Sequence, residues 1–481
     1  MHWLVVQRLL GMLLMAFSGS MLPPMLIALF GGDGQFLSFL ISLLVTFVLG
    51  GVLWLPVRRQ QVDLRARDGF IIVTLFWTVL GVLSGIPFLF STHLSITDAV
   101  FESVSGFTTT GATVITGLDG LPPSILYYRQ QLQWLGGMGI ILLAVAIFPM
   151  LGVGGMQLYR AETPGPIKDE KITPRIANTA QALWLIYLGL TVACALAYWW
   201  AGMSLFDAIG HSFSTVATGG FSTHDASLGH FNSLTIETIA NVFMLAGGIN
   251  FAVHFVVWRR GRYLEYWRNA EVQGFLVIVA GLSIATAALL WWLEYYPGLG
   301  TALRHAVFHV ISIITTTGFT TQDFSLWPSF LPIMLIYISF IGGCAGSTAG
   351  GMKVVRVLLL LKQGLREVHQ LIHPRSVIPI KIGNKPMEAP VVNAVWGFFA
   401  LYVFATATLT LLMVGTGLDV LSAYAAVATC LNVTGPGLGV VTSNFIQVSD
   451  PGKWLAIFTM LLGRLEVFTL LVLLTPAFWR Q

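Results

Sequence analysis

Apolar runs of roughly 20 residues recur along the chain, each closed by a short polar interval. They predict helices that cross a bilayer, which takes about 20 residues each. The runs lie near 9–30, 36–57, 69–91, 126–150, 179–201, 233–258, 270–293, 330–360, 390–413 and 453–478. The alternating pattern of barrel strands is absent. The first run imitates a secretory leader, with Arg8 before it and small residues near Ala16–Ser20. Apolar sequence continues to Phe30, however, so it reads as a first membrane helix.

Composition agrees. Of all residues 56% are hydrophobic and only 10% charged, with a mean hydropathy of +0.80. A soluble domain carries roughly 25% charged residues, so this chain could not cover itself in water. The expected class is an all-α polytopic membrane protein of about ten spans. Three scattered cysteines, Cys194, Cys344 and Cys430, suggest neither a disulfide framework nor a metal site.

Lys and Arg then orient the spans. Of the 25, three fall on one side (Arg129, Arg304 and Lys453), Arg464 lies within a span, and all the rest fall on the other side. Positive residues stay in the cytoplasm, so both termini are expected there, with lipid on all sides of the spans. Charges on the other side are mainly acidic, among them Asp98, Glu102, Asp119, Asp207 and Asp225. An acidic mouth attracts cations, though loops also carry acids merely to stay soluble.

A repeat underlies the pattern. The segments SVSGFTTTGATV (103–114), FSTVATGGFS (213–222), SIITTTGFTT (312–321) and ATCLNVTGPGLG (428–439) each contain Thr-Gly. The four pairs, Thr110-Gly111, Thr218-Gly219, Thr317-Gly318 and Thr434-Gly435, are 108, 99 and 117 residues apart. Each lies between two spans on the acidic side, after a stretch too short to cross the bilayer. That stretch begins near Asp98, Asp207 and Asp419 in three copies, and near Arg304 and His305 in the third. An acid there suits a helix N-terminus. The implied organisation is two extra helices (1–62) followed by pore repeats at 63–175, 176–265, 266–385 and 386–481.

Non-helical backbone at membrane depth must be buried in protein or line a watery cavity. Four such elbows around one axis would present a ring of carbonyls able to replace the hydration shell of a monovalent cation. Glycine permits the required turn, and short helices would aim their negative ends at the centre. The candidate ring residues are Thr109, Thr110, Gly111; Ala217, Thr218, Gly219; Thr316, Thr317, Gly318; and Val433, Thr434, Gly435. Only Thr-Gly is shared between copies, which predicts a shorter filter than that of tetrameric channels, and weaker discrimination.

On these motifs the chain resembles the TrkH family of bacterial potassium-uptake proteins, in the superfamily that includes KtrB and the plant HKT transporters. The resemblance covers essentially all 481 residues. It implies a potassium-conducting subunit in the bacterial inner membrane, a homodimer, and a cytosolic TrkA-like nucleotide-binding regulatory ring as partner. In that superfamily serine at the first filter glycine goes with sodium; Gly111 is glycine here. No cytoplasmic segment is long enough for a nucleotide-binding unit, so no cofactor is expected in this chain, only K+ as cargo. Nothing points to nucleic acid.

The span 330–360 contains IGGCAGSTAGGMK (341–353). Gly342, Gly343, Gly346, Gly350 and Gly351, with Ser347 and Thr348, make a poor helix interior, each glycine costing about 1 kcal/mol relative to Ala. A broken helix with an intramembrane loop at about 341–352 is expected. A phosphate-binding loop is a poor fit, because Met352 stands where Lys is required. Close helix packing through small residues is the plain alternative; the resemblance implies a loop that blocks the path beneath the filter. Arg464 lies inside the last span, where a charge normally faces a cavity or a partner. It would bind loose carbonyls of the broken helix, form a positive barrier below the filter, or do both, and the resemblance implies the barrier role. Lys353 reads as a cytoplasmic boundary marker, Asn432 as a filter-lining or packing residue, and His211 and His309 as local hydrogen-bonders. Secondary carriage coupled to H+ or Na+ is the main rival. An intramembrane enzyme is remote, since neither G-x-S-x-G nor H-E-x-x-H occurs.

Overall fold

The structure, a computed structural model, describes residues 2–59, 66–92, 94–146, 174–383 and 385–480. The end of the span expected at 126–150, most of the following interval with Arg160, Lys168 and Lys171, and Arg65 lie outside the described residues. Among the described residues the regular structure is helical apart from a two-residue β-hairpin, Lys381–Ile382 against Lys385–Pro386.

Two N-terminal units come first: Trp3–Ser18 continuing into Leu22–Gly31, and Phe36–Trp54. They cross where Gly11 meets Gly50. A Cβ on either would come within 3.0 Å of the other's backbone, the close approach that small residues permit between membrane helices. Then one order of elements recurs four times: long helix, short helix, extended segment, helix. The long helices are Ala66–Leu83 with Ile86–Ser91, Pro174–Trp200, Ala270–Trp292 and Ala389–Gly415. The short ones are Ile96–Phe107, Leu205–Val216, Leu299–Ile314 and Val420–Asn432, of 12, 12, 16 and 13 residues. At 1.5 Å per residue none spans the roughly 30 Å hydrocarbon core.

Local sequence starts these short helices. Ser95 and Ser204 cap the first two, each hydroxyl accepting from the amide three residues on, that of Asp98 or Asp207. The hydroxyl in turn donates to that residue's carboxylate. Asp419 caps the fourth helix itself, accepting from the Ser422 amide. The third begins at Gly298 with no side-chain cap, consistent with the missing acid there.

Six helices are long and apolar enough to cross a membrane, and two sharply bent pairs raise this to eight, counted over the described residues. Two of the ten expected spans fall outside that count. Pro123–Ala146 carries the polar run Arg129, Gln130, Gln131, Gln133. The run 330–360 is divided into Leu331–Ser339 and Val354–Ile372 with 14 non-helical residues between. The bends are corrections to two spans read as continuous. Leu234–Gly248 turns by 98° into Phe251–Arg260, and Asp450–Arg464 turns by 114° into Phe468–Leu474. The first bend follows Gly247-Gly248, with Asn250 capping the next helix through the Ala252 amide. The second passes through Glu466 and Val467 at φ 55° and 50°, so no glycine announces it.

Candidate functional site: four extended segments around one axis

Each short helix ends, and the chain then doubles back beneath that end. The same amide bond fixes all four returns: Thr110 N to Ser105 O, Gly219 N to Ser214 O, Thr317 N to Ser312 O and Thr434 N to Thr429 O, each 2.8 Å. The residue before each donor has positive φ: Thr109 at 59°, Thr218 at 53°, Thr316 at 55° and Val433 at 62°. The residue after each is glycine with positive φ: Gly111 at 80°, Gly220 at 80°, Gly318 at 82° and Gly435 at 93°. Left-handed backbone at a β-branched residue is costly, and here it recurs at equivalent places in four segments.

This alignment corrects the sequence reading of the second copy. The partner of Thr110-Gly111 is Gly219-Gly220, one residue beyond Thr218-Gly219. Ala217 therefore sits at the helix end, level with Thr108 and Thr315, and Gly220 joins the set. A Gly-Gly pair offered two candidates for the positive-φ position, and the Thr-Gly pattern selected the wrong one.

The glycines interlock the segments in a closed cycle. A Cβ on Gly111 would collide with the carbonyl oxygen of Gly219, one on Gly220 with that of Thr317, one on Gly318 with that of Thr434, and one on Gly435 with that of Thr110. Each segment thus abuts the next through a carbonyl, and the fourth returns to the first. Hydroxyls serve mainly as braces: Thr108 pairs with Thr110 and Thr315 with Thr317, both at 2.8 Å. Ser105 and Ser312 donate to the carbonyls of Ala112 and Phe319. The buried hydroxyls of Thr109 and Thr434 have no protein partner.

A cavity of about 410 Å³ opens on one side of the ring, with all four glycines in its lining. The three basic residues expected near this mouth are all paired: Arg129 Nε with Glu102 at 2.8 Å, Arg304 with Glu237 at 2.7 Å, and Lys453 with Asp98 at 2.6 Å. Glu102 is therefore buried behind the ring rather than lining the mouth. It also accepts from the Val114 amide and the Thr113 hydroxyl, and Arg129 lies over the Phe221 ring at 4.2 Å. The pair joins the first segment to the second. Gln133 does likewise, donating to the Gly219 carbonyl at 2.6 Å and accepting from the Phe221 amide at 3.0 Å. The signal for these braces was present in RQQLQ (129–133), four polar side chains in five residues of an expected span.

His211 bonds locally, Nδ1 donating to the Asp207 carbonyl and Nε2 accepting from Ser222; the ring nitrogens of His309 face the carbonyls of His305 and Gln322. Asn432 packs, held by Tyr402 and Ser339.

On the other side of the ring lies the non-helical segment 340–353. Its Thr348 hydroxyl approaches the carbonyls of Val216 and Gly247, both at 3.0 Å, and accepts from Thr218 at 3.2 Å. The Gly350 amide donates to Thr316 at 2.6 Å, and a Cβ on Gly350 would collide with the Asn432 carbonyl. Gly342, Gly346 and Gly351 have φ near 70°. The bend at 247–251 holds it further: Cys344 N donates to Gly248 O, Thr348 N to Gly247 O, and Phe251 N to Gly346 O. Gly343 closes the segment by accepting from the Val354 amide. Ser347 bonds back to Cys344.

Arg464 is buried and donates to the Thr348 carbonyl and the Gly136 carbonyl, both at 3.1 Å. Its guanidinium also lies 5.3 Å from the Trp77 ring. Glu466, two residues on, turns instead to Arg356 at 2.6 Å. Lys353 is no boundary marker: it is buried, with Nζ bonded to the Ala349 carbonyl, because the helix resumes only at Val354.

The fold is that of a helical, multi-span membrane protein whose four repeats meet in a closed cycle, and its relatives place it among transport proteins, not enzymes. The profile of TrkH, a family of cation transport proteins, matches residues 37–480. The chain belongs to the TrkH family. It is 54% identical to the Trk system potassium uptake protein TrkH of Salmonella typhimurium, with all of both chains covered. It is 43% identical to the Trk system potassium uptake protein TrkG of Escherichia coli, covering 100% of this chain and 99% of that one. The crystal structure of the potassium transporter TrkH from Vibrio parahaemolyticus superimposes with a TM-score of 0.94 at 51% identity, over the full length of both.

The Glu102–Arg129 pair yields a stability prediction. Removing one partner of a buried ion pair strands the other charge, at a cost of about 3–5 kcal/mol. Glu102→Ala is expected to lower the thermal unfolding temperature of the detergent-solubilised protein markedly, with Glu102→Leu/Arg129→Met recovering most of the loss.

Proposed function

We propose that this chain is the K+-conducting membrane subunit of a Trk-type potassium uptake system, passing K+ through the ring of Thr110, Gly219, Thr317 and Thr434 carbonyls. The observation that carries the reading is the closed cycle of carbonyl–glycine contacts among the four segments. A ring of carbonyls substitutes for the hydration shell of a monovalent cation. Four helix C-termini aimed at it add negative partial charge. The mouth contributes too: with its basic residues neutralised by carboxylates, acids such as Asp119 and Asp225 leave it negative, and entering cations are concentrated there. Only one glycine per segment interlocks, so ion sites are few and discrimination against Na+ is weaker than in a longer filter.

Segment 340–353 acts as the gate, held beneath the ring by the bend at 247–251 and by Arg464. Arg464 both anchors the segment through Thr348 and places a positive charge in the path. The mouth faces outward, both termini are cytoplasmic, and the membrane is the bacterial inner membrane. A homodimer and a TrkA-like regulatory ring at the cytoplasmic end complete the assembly, with nucleotide on the partner.

Two results test this reading. Gly111→Ser and Gly220→Ser each place a Cβ against a neighbouring carbonyl. Both are expected to shift the K+/Na+ permeability ratio toward Na+ by roughly tenfold, equivalent to about 1.4 kcal/mol. Bi-ionic reversal potentials in planar bilayers measure it, and an unchanged potential in both variants contradicts the filter assignment. Deleting 346–350 is expected to raise passive K+ flux into vesicles in the absence of the partner. A folded variant with unchanged or lower flux contradicts the gate.

A further inference from the structure

Three metal-ligating side chains meet at the rim of the mouth, outside the ring itself. Asp119 lies on the turn Leu118–Gly120 after the first ring segment. His224 and His230 lie on the loop after the second, His230 within the turn Ser227–Phe231. One ligand atom from each falls within 4.8 Å of the other two. His224 Nδ1 donates to the Asp119 carboxylate, and its Nε2 lies 3.6 Å from Asp207 Oδ1. The His224 and His230 rings are stacked with centroids 3.5 Å apart and planes within 2°.

We propose that Asp119, His224 and His230 form a transition-metal site, suited to Zn2+, that staples the first mouth loop to the second and throttles cation entry. The donor set of two imidazoles and one carboxylate is one that Zn2+ takes readily, in tetrahedral geometry with a fourth position left to water. Bonds of about 2.0–2.1 Å place tetrahedral ligand atoms about 3.3 Å apart, so the His224–Asp119 pair, at 2.5 Å, opens to admit the ion while His230 moves to meet it. To offer Nδ1 to the metal, His224 carries its single proton on Nε2 instead, where the Asp207 carboxylate lies 3.6 Å away, so the ring stays a neutral imidazole. Stacked planes set the imidazole lone pairs side by side, and His230, on the exposed side of the cluster, turns to make them converge. The frame beneath is already fixed: the Asp225 carboxylate accepts from the amides of Gly117 and Leu118 at 3.0 and 2.9 Å, bridging the same two loops. His224 also lines the cavity above the ring, so a bound divalent ion adds positive charge where cations enter. That last consequence rests on the conduction reading; the site itself does not.

The test uses full-length, chelator-stripped protein in detergent, with Co2+ as a spectroscopic probe. A second candidate must be removed first: His369 and His373, one helical turn apart with ring centroids at 5.1 Å, could chelate as well. In the His369→Ala/His373→Ala background, Co2+ is expected to bind at one equivalent per chain with the intense visible absorption of four-coordinate cobalt. Zn2+ should displace it stoichiometrically. His230→Ala, at an exposed position, is expected to weaken binding by at least about 100-fold, since even outer-sphere partners of a metal site are worth 10–100-fold. An unchanged titration in His230→Ala, or loss of all binding with His369 and His373 alone, overturns the site. In vesicles, Zn2+ added at the mouth is expected to slow K+ flux in the background protein and not in the His230→Ala form. Flux that ignores Zn2+ while the site is filled overturns the throttling, and leaves the conduction reading standing.

Discussion

Away from water, a backbone carbonyl or amide without a partner costs several kcal/mol. That constraint organises this molecule. The helices break in several places near the axis, after Val216, at 249–250, between Ser339 and Val354, and at 465–467, and the breaks satisfy one another. The bend at Gly247-Gly248 offers carbonyls to Cys344 and Thr348. The segment containing these residues offers its Thr348 carbonyl to Arg464, the last residue before the final bend. Arg464 in turn reaches the Gly136 carbonyl of the first repeat. Separately, each break would leave backbone groups unpaired; together they form one hydrogen-bonded cluster of non-helical backbone beneath the ring.

The ring follows the same logic from the other side. Four returns of the chain use one amide bond at one distance, and glycine at one position lets each strand lie against its neighbour's carbonyl. Polar braces behind it, Glu102 with Arg129 and Gln133 with Gly219, fix adjacent segments to each other rather than to solvent. In a low-dielectric surrounding such fully satisfied networks rigidify what they join. On the proposed reading the ring must keep its carbonyls in place against a cation's pull, and these braces are suited to supply that stiffness.

Much of this was legible beforehand because the repeat is written in composition: Thr-Gly four times, each between spans on the side poor in Lys and Arg. The glycine cluster at 342–351 announced an interruption because glycine lowers helix propensity whatever surrounds it. Other features were not legible, for identifiable reasons. In Thr218-Gly219-Gly220 either glycine could take the left-handed position, and only the neighbouring carbonyl of Thr317 decides. The bend at 465–467 uses non-glycine residues held left-handed by tertiary contacts, so local propensity was silent. Lys353 looked like a boundary because a charge usually is one; its partner, the Ala349 carbonyl, exists only once the helix has broken. Glu102 and Arg129 looked like separate mouth charges, 27 residues apart in sequence, and become one buried brace only in the fold.

The central claim is that the closed ring of carbonyls is where the transported ion is coordinated. Crystals of the protein soaked in Rb+, whose anomalous scattering locates it directly, test that most simply. The account predicts anomalous density on the axis among the carbonyl oxygens of Thr110, Gly219, Thr317 and Thr434, replaced when K+ is returned. Density confined to other positions, with the ring intact and vacant, would contradict it.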